Sequence, residues 1–73
     1  MTYYVTYSTF GDGNFLHIVE DHIEAYDLDE ARDIAEIHAE DVESEEAEEY
    51  ADGFGTISVN LSSIYDENGI RVA

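Results

Sequence analysis

Apolar and polar residues alternate from Thr2 to Phe10, with Tyr3, Val5 and Tyr7 on one face and Tyr4, Thr6 and Ser8 on the other. A period of two in a stretch rich in aromatic and β-branched residues predicts a strand. Gly11-Asp12-Gly13-Asn14 is a dense turn signal, and Phe15 to Val19 has strand composition again, so the two runs should pair as an antiparallel hairpin. The period then changes. Leu28, Ala31, Ile34, Ala35, His38 and Val42 recur at helical spacing, with Asp33, Glu36 and Glu40 on the opposite side. Asp27 is the expected N-cap, Glu30 occupies the capping-box position three residues on, and Asp29 suits the positive end of the helix dipole. The helix either continues through Glu43-Ser44-Glu45-Glu46 or breaks into a second helix capped by Ser44. In both cases Ala47, Tyr50 and Ala51 can extend the buried face, and Gly53 and Gly55 end it.

Alternation returns from Thr56 to Tyr65, Ile57, Val59 and Leu61 against Ser58, Asn60 and Ser62, which predicts a half-buried strand. Asn68-Gly69 signals a type I′ turn, in which both central residues need positive φ, leading into a fourth strand at Ile70-Arg71-Val72. The expected fold is α+β in ββαββ order: an antiparallel sheet of about four strands with one or two helices packed on one face, a single domain over residues 1–73. A chain this short buries only about 60% of its unfolded surface, which argues against a deep substrate cavity. With no cysteine, neither disulfides nor thiolate-bound metal can support the fold.

Charge changes the picture most. Nineteen Asp and Glu stand against Arg32 and Arg71, with no lysine, for a formal net charge of −17. Solubility of a small domain needs a magnitude of only about 2 to 8. Such a surface repels nucleic acid and anionic lipid and attracts basic protein. The hydrophobic fraction of 44% and the patterned runs separate the chain from disordered acidic segments. Between Asp27 and Asp52 the carboxylates are nearly unmixed, offset only by Arg32. A wholly helical tract would carry about one charge per 3 Å of axis, against about one per 3.4 Å for one strand of duplex DNA. Like charges at i, i+4 each weaken a helix, so this density calls for a reason outside stability, and imitation of a phosphate backbone supplies one. The expected partner-binding residues are Asp29, Glu30, Asp33, Glu36, Glu40, Asp41, Glu43, Glu45, Glu46, Glu48, Glu49 and Asp52.

No catalytic, cofactor-binding or metal-binding residues are expected. His17, His22 and His38 match no zinc spacing, and His38, on the apolar stripe, reads as a packed core histidine. Asp66-Glu67-Asn68-Gly69 and Gly11-Asp12-Gly13-Asn14 do not fit a calcium loop and read as turns. Acid–base chemistry needs a shielded pair of carboxylates, and a solvated row does not provide it. Nothing resembles a phosphate loop or nucleophile elbow, so the chain is not expected to be an enzyme. Among six tyrosines, those of the first strand fall on both faces, so at least one should meet solvent or a partner.

The tract Asp27 to Asp52, flanked by hairpins in so small a chain, resembles the small acidic phage-encoded inhibitors that act as DNA mimics, in particular type I anti-CRISPR proteins. The passage Ile23-Glu24-Ala25-Tyr26-Asp27-Leu28-Asp29-Glu30-Ala31-Arg32-Asp33-Ile34-Ala35 is similar to the strand-to-helix passage of several small phage proteins. The resemblance implies an inhibitor that blocks target DNA from the basic surface of a CRISPR-Cas surveillance complex of the Cascade type, in the host cytoplasm. Its partner would be a DNA-binding protein or ribonucleoprotein, with no direct binding of nucleic acid, no membrane association and no cofactor. The alternative is an acidic protein–protein interaction module of a halophile or its virus, with acidity serving hydration. The absence of lysine suits that reading, and the concentration of charge in mid-chain suits it less. Both a monomer and a homodimer fit the sequence.

Overall fold

The computed structural model describes residues 1–50, 52–53 and 55–73. Two antiparallel strands, β1 (Thr2–Gly11) and β2 (Asn14–Glu24), precede one helix, α1 (Leu28–Glu49), and a third strand, β3 (Ile57–Tyr65). The sheet order is β2-β1-β3, and both outer strands run antiparallel to β1. The fold is therefore α+β, with three strands and a single helix among the described residues. β2 and β3 flank β1 and point the same way, and the helix that joins them lies across one face of the sheet, packing more on β3 than on β1 or β2.

The β1–β2 turn is a two-residue turn, closed by the Gly11–Asn14 pair. Asp12 (φ 52°) and Gly13 (φ 86°) both adopt the left-handed conformation, which matches the right-handed twist of the strands it joins. Asp12 also holds the start of β3. Its N–H donates to Thr56 O at 2.8 Å, and its carboxylate accepts from the N–H groups of Gly55 (3.1 Å) and Thr56 (2.9 Å).

Tyr3, Val5 and Tyr7 of β1, Ile23 of β2 and Ile64 of β3 form the core with Ala25, Ala31 and Ala35. Alanine at two helix positions lets α1 approach closely enough for the fully buried Tyr7 to donate its hydroxyl to Ala35 O at 2.9 Å. Burial, reinforced by the negative charge of Asp21, pushes the Tyr7 phenol up from 10 to about 12. Tyr4, on the other face of β1, is 48% exposed. No element covers that face among the described residues, and Phe10 and Phe15 meet there edge to face with centroids 5.9 Å apart.

β2 extends to Glu24, five residues past its expected end at Val19. His17 and Asp21 occupy inward positions on either side of Val19, in register with Thr9 and Val5, and α1 supplies partners for both. An extra residue, Leu16, enters between Thr9 and Phe10, where the Thr9 hydroxyl donates to His17 O (2.9 Å) and accepts from His17 N–H (3.2 Å). In β3 the predicted alternation holds through Leu61. Ser62 is then inserted opposite the Thr6–Tyr7 step, and the inward position passes to Ile64. The hydroxyls of Thr6 and Ser63 hydrogen-bond on the outer face.

The expected fourth strand reduces to a single bridge, Tyr65 to Arg71. Val72 N–H (2.8 Å) and Ala73 N–H (3.3 Å) both donate to Ile64 O while Ile64 N–H donates to Ala73 O (3.1 Å). Two residues thus oppose one, the pattern of a β-bulge, and the ladder stops there. The turn before it is not type I′, since Gly69 (φ 78°) is left-handed and Asn68 is not. Asp66 organises the turn instead, its Oδ1 accepting from Asn68 N–H (2.9 Å) and Ile70 N–H (3.0 Å).

Candidate interaction surface

α1 is one continuous helix. Asp27 Oδ1 accepts from Glu30 N–H at 2.9 Å, and the Glu30 carboxylate accepts from Tyr26 N–H at 3.3 Å, so the capping box closes one residue earlier than its usual form. Ser44 does not start a second helix. Its hydroxyl donates to Glu40 O within the same turn (3.1 Å), as serine does in a helix interior. Ala47 is exposed and adds nothing to the buried face, Tyr50 is the half-buried C-cap residue, and Ala51 lies outside the described residues.

The helix presents two acidic rows. Asp29, Asp33, Glu36, Glu40 and Glu43 recur at i+3 and i+4 along the side turned away from the sheet. The ridge is about 21 Å long, with its carboxylates about 5 Å apart along the axis. Glu30, Asp41, Glu45 and Glu48 follow a second row, from which Asp41 and Glu45 face β2. Glu49 and Asp52 are exposed at the helix end and in the turn beyond it. Among the described residues no Lys or Arg side chain lies within ion-pair distance of these carboxylates. The last turn carries no basic residue, so Glu48 and Glu49 also stand against the negative end of the dipole. Ile37, 63% exposed, breaks the rows with an apolar spot between Asp33 and Glu40.

Glu46 separates from the tract. Only 7% exposed, it turns inward and pairs its carboxylate with His17 Nε2 of β2 at 3.0 Å. Tyr50 packs edge to face on the same imidazole, centroids 6.1 Å apart. A second pair of reversed polarity lies further along the seam, His38 Nδ1 of α1 to Asp21 Oδ2 of β2 at 3.5 Å. His38 is therefore half-exposed at the rim of the core rather than packed within it. Sequence reasoning missed both pairs, although inward His17 and Asp21 alternate with apolar Val19 and Ile23. Polar residues at every second inward position are the signal that the facing element must answer them.

Acids outside the helix are mostly engaged locally. Asp12 and Asp66 hold turns, Glu24 bonds the Thr2 hydroxyl and lies 3.9 Å from the N-terminal amine, and Glu67 accepts from Thr2 N–H at 3.0 Å. Among the described residues no three His, Asp or Glu side chains converge as a metal site, and no helix is long and apolar enough to cross a membrane. An open cleft between β2 and α1 is floored by Val19 and Val42 and rimmed by Glu20, Asp21, Asp41 and Glu45.

Fold and surface together define an acidic α+β domain whose helix turns a row of exposed carboxylates, without an Arg partner among the described residues, to solvent. No protein-family model matches the sequence, and neither a curated protein nor a solved structure matches it significantly.

Proposed function

We propose that this protein is a binding domain whose helix α1 occupies a basic, nucleic-acid-binding surface of another protein, its carboxylates standing in for phosphates. The observation that carries this reading is the division of labour among the acids. Those outside α1 are largely spent on turns and strand ends, whereas those on the solvent side of α1 have no Lys or Arg partner among the described residues and include an unbroken ridge from Asp29 to Glu43. Over a helix of 22 residues, about 33 Å long, they amount to about one charge per 3 Å, close to one strand of duplex DNA. Groups organised to bind phosphates receive such rows with fast, salt-sensitive association. Asp29, Glu30, Asp33, Glu36, Glu40, Asp41, Glu43, Glu45, Glu48, Glu49 and Asp52 make the contact. Glu46 is structural and leaves the set. The resemblance to type I anti-CRISPR proteins extends the proposal to a CRISPR-Cas surveillance complex as target, with the domain acting as a non-catalytic inhibitor in the host cytoplasm.

Capture of partners from host lysate at low salt, repeated with competing duplex DNA, tests the reading. A nucleic-acid-binding complex displaced by DNA, and lost when Asp33, Glu36, Glu40 and Glu43 are changed to Asn or Gln, is expected. Recovery of partners indifferent to DNA and to those changes would leave the acidity to hydration in strong salt.

A further inference from the structure

We propose that the outer edge of β2 is a docking site for an extended, Lys- or Arg-rich segment of a partner protein, which joins the sheet as an additional strand. Met1 and Ala25 exchange both backbone hydrogen bonds, Ala25 N–H to Met1 O at 2.9 Å and the Met1 amine to Ala25 O at 3.0 Å. From that pair, antiparallel alternation turns the backbone groups of Val19, Asp21 and Ile23 toward β1 and those of Ile18, Glu20 and His22 outward. Among the described residues no strand lies on the outer side of β2. His22 N–H is held by the neighbouring Asp21 carboxylate at 2.8 Å, which leaves Ile18 and Glu20 as the outward pairing positions at mid-strand. An edge of this kind takes an extended peptide through main-chain hydrogen bonds and selects it through its alternate side chains.

Charge identifies the occupant. Every second side chain of an added strand points to the helix side of the sheet. There it enters the cleft, with its stem against Val19 and Val42 and its tip among Asp21, Asp41 and Glu45. A long aliphatic stem ending in a cation fits that lining. A second copy of this chain does not fit. Pairing two β2 edges brings Glu20 and Asp21 toward their own copies, each chain carries −17, and like charges across a strand pair destabilise it. The same carboxylates thus reject self-association and admit a basic strand. The inference rests on the preceding reading only for the sign of the partner's charge.

The probe is a synthetic peptide alternating Lys and Thr, titrated into the protein at low salt without DNA and followed by amide NMR and hydrogen exchange. Exchange at the Ile18 and Glu20 amides is expected to slow at least tenfold. Ile18→Pro removes one outward donor without changing charge, at a position where an edge strand tolerates proline. It should weaken the peptide at least tenfold, and the pair Asp41→Asn and Glu45→Gln should do likewise. Should Ile18→Pro not fold, backbone N-methylation at Glu20 in synthetic protein removes a donor instead. Equal affinity for the donor-deleted protein, shifts spread along the α1 ridge without edge protection, or no binding would each overturn the proposal. Phosphate mimicry is judged separately, by displacement of a partner with DNA.

Discussion

Glu45 and Glu46 are neighbours in the most acidic stretch of the chain, and neutralising them should move stability in opposite directions. Glu45 is exposed, with Asp41, Glu48 and Glu49 at i−4, i+3 and i+4. At about 0.2–0.5 kcal/mol per like-charge pair, Glu45→Gln should stabilise the protein by about 1 kcal/mol at low ionic strength. Glu46 has like-charged neighbours in Glu43 and Glu49, so its removal brings a similar relief. Against that stands the loss of a charge-assisted hydrogen bond to His17 at 3.0 Å from a buried site, worth about 1.5–3 kcal/mol. Glu46→Ala should therefore destabilise by about 1–2 kcal/mol. In a domain of this size each kcal/mol shifts Tm by about 4–8 °C, so thermal unfolding followed by circular dichroism in 50 mM salt separates the two variants. At 1 M salt, where the Debye length falls to about 3 Å, the Glu45→Gln gain should largely vanish while the Glu46→Ala loss persists. If both variants stabilised, the inward turn of Glu46 would be wrong. A Glu45→Gln gain that persisted in strong salt would refute the repulsion argument.

Tyr7→Phe should cost about 1 kcal/mol near neutral pH through loss of the hydrogen bond to Ala35 O. The Tyr7 phenol is raised from 10 to about 12 in the folded protein, so its neutral form favours folding fully below pH 10. That stability is lost as pH rises from 10 to 12, by about 1.4 kcal/mol per unit. Denaturant unfolding across pH 8–12 should show this slope in the parent and a shallower one in Tyr7→Phe. Asp12→Ala should destabilise by about 1–3 kcal/mol, since it removes the carboxylate that ties the Gly55 and Thr56 N–H groups to the turn and puts alanine at positive φ. Asn keeps the acceptor and tolerates the conformation, so Asp12→Asn should retain most of the parent's melting temperature. Gly69→Ala, at φ 78°, should cost about 1–2 kcal/mol, whereas Asn68→Ala, at a residue that is not left-handed, should cost less than half as much in the same melts.

The hairpin, the Asp27 cap and the apolar stripe of α1 were legible because each rests on local rules: alternation, turn chemistry and helical spacing. The errors fall where a distant element decides. β2 looked as if it ended at Val19 because Asp21 breaks its apolar alternation, yet His38 on α1 makes that inward carboxylate acceptable. Glu46 was indistinguishable from its neighbours by composition, and only its burial against His17 of β2 removes it from the surface set. The fourth strand failed on hydrogen-bond register, since Val72 and Ala73 share the single carbonyl of Ile64, a detail that a run of β-branched residues does not encode. In β3 one inserted serine moved the inward position from Ser63 to Ile64, and alternation read by eye passes over such an insertion.

The ridge also sets the conditions under which phosphate mimicry and hydration in strong salt make different demands. Its carboxylates are about 5 Å apart along the axis. At an ionic strength of 0.15 M the Debye length of about 8 Å exceeds that spacing, so neighbouring charges act together and the ridge presents a continuous negative field to a basic groove. At 1 M the length falls to about 3 Å, and the same residues become separate, individually hydrated carboxylates with no collective field to steer a partner. Mimicry therefore requires a partner affinity that falls steeply with salt, with a slope that shrinks as ridge residues are neutralised, just as protein–DNA binding weakens with salt in proportion to the number of phosphates engaged. Hydration requires the reverse dependence of a different quantity, a fold that gains stability as salt rises and screens the repulsion within α1. The second effect follows from the unpaired rows whatever the function. Only the first, measured against ridge variants in which Asp33, Glu36, Glu40 and Glu43 are replaced singly, makes those rows a binding surface rather than a tolerated burden on the helix.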